Sequence, residues 1–136
     1  MPPARTIGAC MTRSPITVER SATMAHAFKI MVEHGFRHLP VVDGDRLVGL
    51  VSERELRVVE NMKGIDSAFV TVGDFILEPP YAVGPETPVH DVALTMSQRK
   101  VGSAIVVDGD KVVGLFTTTD ALRVLAELLA PSSNPT

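Results

Sequence analysis

Val41-Val42-Asp43-Gly44-Asp45-Arg46-Leu47-Val48-Gly49-Leu50 recurs as Val106-Val107-Asp108-Gly109-Asp110-Lys111-Val112-Val113-Gly114-Leu115, with eight of ten positions identical. The two differences exchange Arg for Lys and Leu for Val. The offset is 65 residues, and without a gap it also pairs Pro15 with Pro80, Val18 with Val83 and Met31 with Met96. A short chain written twice implies two half-units that bury their apolar faces on each other. In each copy Asp-Gly separates two apolar runs, which predicts a hairpin, because glycine takes positive φ without steric cost.

Outward from the hairpins, the periods switch in the same order in both copies. Ile16-Thr17-Val18 and Tyr81-Ala82-Val83 are short strand candidates. Met24, Ala27, Phe28 and Met31 then recur at helical spacing, as do Val89, Val92, Ala93 and Met96. Thr23 is placed to cap the first of these helices and Gly35 to end it. The hairpin strands follow, at Leu39–Val42 and Leu47–Val51, then at Ala104–Val107 and Val112–Phe116. A closing helix comes last; in the second copy Ala121, Val124, Leu125, Leu128 and Leu129 form its stripe, ending before Pro131. Each half therefore reads strand, helix, strand, strand, helix. The repeat divides the chain into residues 7–62 and 72–130, with 63–71 as a linker and 131–136 as a polar tail. A helical turn is expected before each first strand, near Ile7 to Met11 and Val72 to Leu77.

Composition narrows the function classes. The chain has 136 residues, enough for one domain with a real core. Its net charge of −3 offers no basic excess for nucleic acid or an anionic membrane. No apolar run approaches the ~20 residues that span a bilayer, and no signal core follows the N-terminus, so a cytoplasmic protein is expected. The one cysteine, Cys10, forms no internal disulfide and no metal framework, and reads as a half-buried apolar residue. His26, His34, His38 and His90 show no repeated ligand spacing. His34 and His38 straddle Gly35, which breaks any helical ligand pair. With no GxSxG, P-loop or GxGxxG stretch, no catalytic residue, metal site or catalytic cofactor is expected.

Several segments together resemble a tandem pair of cystathionine-β-synthase (CBS) domains, the Bateman module. They are Met11-Thr12-Arg13-Ser14-Pro15-Ile16-Thr17-Val18, Arg37-His38-Leu39-Pro40-Val41-Val42-Asp43 and Gly49-Leu50-Val51-Ser52-Glu53-Arg54-Glu55-Leu56 in the first copy. In the second they are Val101-Gly102-Ser103-Ala104-Ile105-Val106-Val107-Asp108 and Gly114-Leu115-Phe116-Thr117-Thr118-Thr119-Asp120-Ala121. The resemblance runs from about Ile7 to Leu129. It implies an α/β (α+β) fold of two β-α-β-β-α motifs, related by a pseudo-twofold axis in one compact module. It also implies two clefts for adenosine-containing ligands (AMP, ADP, ATP or S-adenosylmethionine), pairing into a homodimer, and regulation of a separate effector without catalysis.

Thr117-x-x-Asp120 and Ser52-x-x-Glu55 stand where a strand hands over to a closing helix. A helix start faces N–H groups and the positive dipole end outward, which suits phosphate. The same spacing is a capping box that serves the helix itself, and Glu fits that box better than Asp. The resemblance assigns Thr117 to phosphate and Asp120 to the ribose diol; Glu55 departs from the pattern, so Ser52 and Glu55 rank as a second, weaker site. By family position Thr12, Pro15 and Thr17 line the Asp120 site, completed by Phe36, Arg37, His38 and Thr119, with Val101 and Gly102 at the matching place in the second copy. Arg37 supplies a planar fork for phosphate oxygens and His38 a donor. Arg54, Arg57, Arg123, Arg99 and Lys100 read as solvated cations, one of which a polyphosphate tail could recruit. The expected function is a ligand-sensing regulatory module; its rival is a ligand-free module for protein assembly.

Overall fold

The computed structural model describes residues 5–74 and 80–131. The expected tail at 132–136 and the Phe75 to Leu77 part of the second helical turn lie outside the described residues. The elements run α1 (Ile7–Cys10), β1 (Thr12–Arg13), β2 (Val18–Glu19), α2 (Met24–His34), β3 (His38–Asp43), β4 (Arg46–Ser52) and α3 (Glu53–Glu60). A 3-10 turn at Val72–Asp74 follows, then β5 (Ala82–Val83), α4 (Val89–Arg99), β6 (Ser103–Asp108), β7 (Lys111–Thr117) and α5 (Thr118–Leu129). The strands form one mixed sheet in the order β2-β3-β4-β7-β6-β5, with β1 added antiparallel to β7. No helix among the described residues is long and apolar enough to cross a membrane.

The local signals act as their chemistry dictates. The Thr23 hydroxyl accepts the His26 N–H at 3.1 Å to start α2. Gly35 ends that helix in the left-handed region, at φ 67°. The hairpin turns place Gly44 and Gly109 at φ 66° and 65°. Each hairpin also carries a bulge at the same repeat position, between Val41 and Val42 and between Val106 and Val107. Among the described residues the two hairpins pair through Arg46 and Lys111, and β1 of the first half adds to β7 of the second.

Two cores result, one per half. The first gathers Val18, Met24, Ala27, Met31, Leu39, Val41, Val51, Leu56, Val59 and Val72. The second gathers Ile7, Cys10, Val92, Met96, Ala104, Val106, Phe116 and Val124. Packing thus crosses the boundaries that the repeat alone draws at 7–62 and 72–130. Ile7 and Cys10 belong to the second core, and Val72 to the first. Cys10 is buried, not half-buried.

This exchange is reciprocal and follows the same offset of 65. Ile7 donates its N–H to the Thr87 carbonyl at 2.7 Å, and Val72 donates to Ala22 at 2.8 Å. Gly8 donates to Pro85 at 2.9 Å, and Gly73 to Arg20 at 2.8 Å. A Cβ on Gly8 or Gly73 would lie 2.9 Å from the Pro85 or Arg20 carbonyl oxygen, so only glycine lets the backbones approach this closely. Each half is clasped by the segment that precedes the other.

On the outer helices the expected stripes are covered unevenly. Val92, Met96 and Val124 are buried, but Ala93, Leu94, Leu125, Leu128 and Leu129 are exposed. Val89, His90, Ala93, Leu94, Phe116, Ala121, Val124, Leu125 and Leu128 border a groove of about 420 Å³ between α4 and α5.

Candidate functional site

A cleft of about 460 Å³ lies between the halves. The first half contributes Arg37 and His38 at the start of β3, Leu50 and Ser52 from β4, and Glu53, Arg54 and Glu55 from the first turn of α3. The second half contributes Pro80 and Tyr81 before β5, and Lys100, Val101, Gly102 and Ser103 between α4 and β6. Leu50, Pro80, Tyr81 and Val101 supply apolar wall, and the charged side chains gather around the start of α3. The Arg37 carbonyl accepts the Glu53 N–H at 2.9 Å, which fixes the loop carrying Arg37 against that helix start. His38 crosses toward the second half, its ring 3.6 Å from where a Cβ on Gly102 would stand. Arg99 packs over the Tyr81 ring at 5.1 Å, holding that wall.

Of the residues singled out from sequence, Arg37, His38, Val101 and Gly102 meet here with Ser52 and Glu55. Thr12, Pro15, Thr17, Phe36, Thr117, Thr119 and Asp120 do not line this cleft. Thr12 sits in β1 opposite Leu115. Pro15 and Thr17 are half-buried in the loop before β2, and Thr119 is exposed on α5. Phe36 stacks on His34 at 5.3 Å between ring centroids, outside the cleft walls.

Both hydroxyl–carboxylate motifs close as capping boxes. The expectation that Glu makes the better box is reversed. Ser52 N–H reaches the Glu55 carboxylate at 3.4 Å, and Glu55 N–H reaches the Ser52 hydroxyl at 3.5 Å. At the other box Thr117 N–H reaches Asp120 Oδ2 at 2.9 Å, and Asp120 N–H reaches the Thr117 hydroxyl at 3.3 Å. The Thr117 hydroxyl also donates to Oδ2 at 3.2 Å, and Arg123 donates to Oδ1 at 3.2 Å. The shorter Asp side chain is held because Arg123 grips its far oxygen. Arg123 further donates to the Cys10 carbonyl at 3.0 Å, so this half-exposed cation ties α5 to α1. Asp120 is 6% exposed and three of its contacts are already made.

Sequence reading does not place Tyr81, Pro80 or Leu50 in the site, and gives Lys100 only as one of several solvated cations that a polyphosphate tail could recruit. The offset of 65 carried the signal for two of them: Pro80 matches Pro15, and Lys100 matches the helix-ending Gly35. Lys100 does occupy that helix end, at φ 56°, a left-handed conformation that a side chain disfavours.

The chain is thus a doubled α/β unit with a cleft between its copies, and the family comparison agrees with that architecture. The CBS domain model matches residues 5–70 and 72–127, and the chain belongs to that family. Among similar solved structures, CBSX2 in complex with AMP is 29% identical, covers 90% of this chain and 97% of its own, and superposes with a TM-score of 0.79. The CBS domain pair of protein MJ0100, in complex with 5′-methylthioadenosine and S-adenosyl-L-methionine, is 25% identical over 93% and 99% of the two chains, with a TM-score of 0.81. The CBS domain of a bacterial CNNM/CorC family Mg2+ transporter in complex with ATP is 26% identical over 93% and 89%, with a TM-score of 0.77. The chain spans between 14% and 36% of the length of the first curated relatives it matches.

Proposed function

We propose that this chain is a non-catalytic sensing module that binds an adenosine-containing ligand in the cleft and passes its occupancy to a separate effector. The observation that carries the reading is the cleft itself: apolar wall for a base on one side, and the start of α3 with Arg37 and His38 on the other. Its volume falls within the usual range for small-molecule sites, roughly 300–1,000 Å³. Three similar CBS structures hold AMP, S-adenosylmethionine with methylthioadenosine, or ATP, which supports the ligand class.

The Ser52–Glu55 side is the leading site. Glu55 lines the cleft and its box is long, so its carboxylate can turn to a sugar hydroxyl at small cost. Asp120, expected from sequence to be the ribose ligand, is instead engaged by its own cap and Arg123. Isothermal titration with AMP, ADP, ATP and S-adenosylmethionine tests the proposal, with Gly102→Leu as the blocking variant. At least one ligand is expected to bind wild type, and Gly102→Leu to lose about ten-fold or more by filling the space in front of His38. No binding by any of the four would favour the ligand-free assembly module.

The groove between α4 and α5 supports a homodimer as the second part of the proposal. Leu94, Leu125 and Leu128 are 48%, 48% and 63% exposed around it, and burial at ~25 cal/mol per Å² of apolar area favours covering them with a second copy. Sedimentation at micromolar concentration is expected to give a dimer, with Leu125→Glu and Leu128→Glu together giving a monomer. A wild-type monomer would sink this part.

A further inference from the structure

We propose that the repeat builds a second binding place at Thr117 and Asp120, equivalent to the described cleft, and that Arg123 latches it shut, so that the chain takes one ligand and not two. The inference rests on the nucleotide reading for what the ligand is. It adds how many ligands the chain holds and which residue decides the number.

The second place follows from the offset of 65. Ser52 and Glu55 line the cleft together with Leu50, Pro80, Tyr81 and Val101. The equivalent positions hold Thr117, Asp120, Leu115, Pro15, Ile16 and Phe36. Ile16 and Phe36 are large apolar side chains left exposed, at the two positions where Tyr81 and Val101 give the first cleft its apolar wall. The doubled chain thus repeats the wall positions as well as the fold.

What distinguishes the second place is its closure. Arg123 donates to Asp120 Oδ1 at 3.2 Å, and the same guanidinium donates to the carbonyl of Cys10, the last residue of α1. One planar fork therefore bridges the carboxylate of α5 and the end of α1. Asp120 Oδ2 is taken by the Thr117 N–H and hydroxyl, so both oxygens are engaged, and the side chain is buried. A ligand hydroxyl reaches this carboxylate only after Arg123 lets go.

The latch is itself held. Glu127 stands 4.0 Å from Arg123 Nε and pairs with Arg5 at 3.1 Å. Arg5 and Cys10 both belong to the segment that leads the chain into β1, so the network ties α5 to that segment twice. At the offset of 65 the positions of Arg5, Arg123 and Glu127 read Val70, Val58 and Met62. Each latch charge has an apolar counterpart, and Val58 has nothing with which to grip a carboxylate. Half-exposed ion pairs contribute little one by one, so the latch opens. It lowers affinity at the second place by the fraction of time it stands open.

The repeat supplies the variant. Arg123→Val installs the residue that the other copy carries, and Arg123→Gln keeps a donor for the Cys10 carbonyl without a charge for Asp120. Calorimetric titration with AMP, ADP, ATP and S-adenosylmethionine counts the ligands, with circular dichroism checking that each variant is folded. Wild type is expected to take one ligand per chain. Both variants are expected to take a second, with affinity at that place raised about ten-fold or more. Adding Asp120→Ala to Arg123→Val should return the count to one, which locates the second ligand. Two equal ligands on wild type, or a count of one in both folded variants, overturns the latch and leaves the nucleotide reading standing. A count of two that survives Asp120→Ala overturns it as well. Binding of none of the four, by wild type or variants, overturns the nucleotide reading and the latch with it.

Discussion

Ile7→Ala is expected to cost about 2–5 kcal/mol of folding stability, and the loss should appear in the second half of the chain. Ile7 is fully buried, and its neighbours Val92, Ala104, Val106, Phe116 and Val124 all come from beyond residue 88. Truncation removes three methyl or methylene carbons from a core that includes the largest fully buried side chain, Phe116. The surrounding strands cannot collapse far into the gap, because β6 and β7 are locked along their whole length by antiparallel pairing. Urea denaturation gives the total. Hydrogen exchange locates it: amides of Ser103–Asp108 and Lys111–Thr117 should lose protection before those of His38–Asp43 and Arg46–Ser52. Loss confined to the first half would mean that α1 docks on its own repeat and that the exchange of leading segments is wrong.

That exchange marks where sequence reading ran out. The repeat made the hairpins, helices and element order legible, because each depends on local chemistry: Asp-Gly turns, a Thr cap, apolar residues at helical spacing. A constant offset says which residues are equivalent but not which copy a segment packs on. Ile7 and Val72 carry the same period in either arrangement. The hydrogen bonds of Ile7 to Thr87 and of Val72 to Ala22, with the core each residue joins, distinguish them.

The site was half legible for a related reason. Arg37, His38, Ser52 and Glu55, expected from the family resemblance and the hydroxyl–carboxylate spacing, line one cleft. Their distribution between two clefts depends on how the halves turn against each other. The motif with the ribose-type Asp drew the stronger expectation. What the motif could not show is Arg123, three residues on, reaching back to Asp120 Oδ1 and across to the Cys10 carbonyl. Lys100 reads in the sequence as one of several solvated cations, any of which a polyphosphate tail could recruit. Its left-handed backbone, standing where the other half has glycine, is visible only in three dimensions.

Asp120→Ala is accordingly expected to act on stability first, by about 2–3 kcal/mol. Loss of an N-cap partner accounts for about 1 kcal/mol, and loss of charge-assisted hydrogen bonds to Thr117 and Arg123 for the remainder. The ion-pair part is modest, because the Arg123 side chain is 53% exposed and water takes over its charge. The larger part is the Thr117 N–H, which keeps no acceptor at 2.9 Å once the carboxylate is gone. Glu55→Ala should cost less, about 0.5–1 kcal/mol, since its box spans 3.4 and 3.5 Å. Binding should rank the other way, with Glu55→Ala weakening the best nucleotide and Asp120→Ala leaving it within about two-fold at a temperature where both variants are folded. Asp120→Asn refines the comparison: it keeps one acceptor oxygen for the Thr117 N–H but gives up the charge that holds Arg123, so its stability should fall between wild type and Asp120→Ala. Should Asp120→Ala prove as stable as wild type and yet bind no nucleotide, the carboxylate serves the ligand and not the helix, and the leading site moves to Thr117 and Asp120.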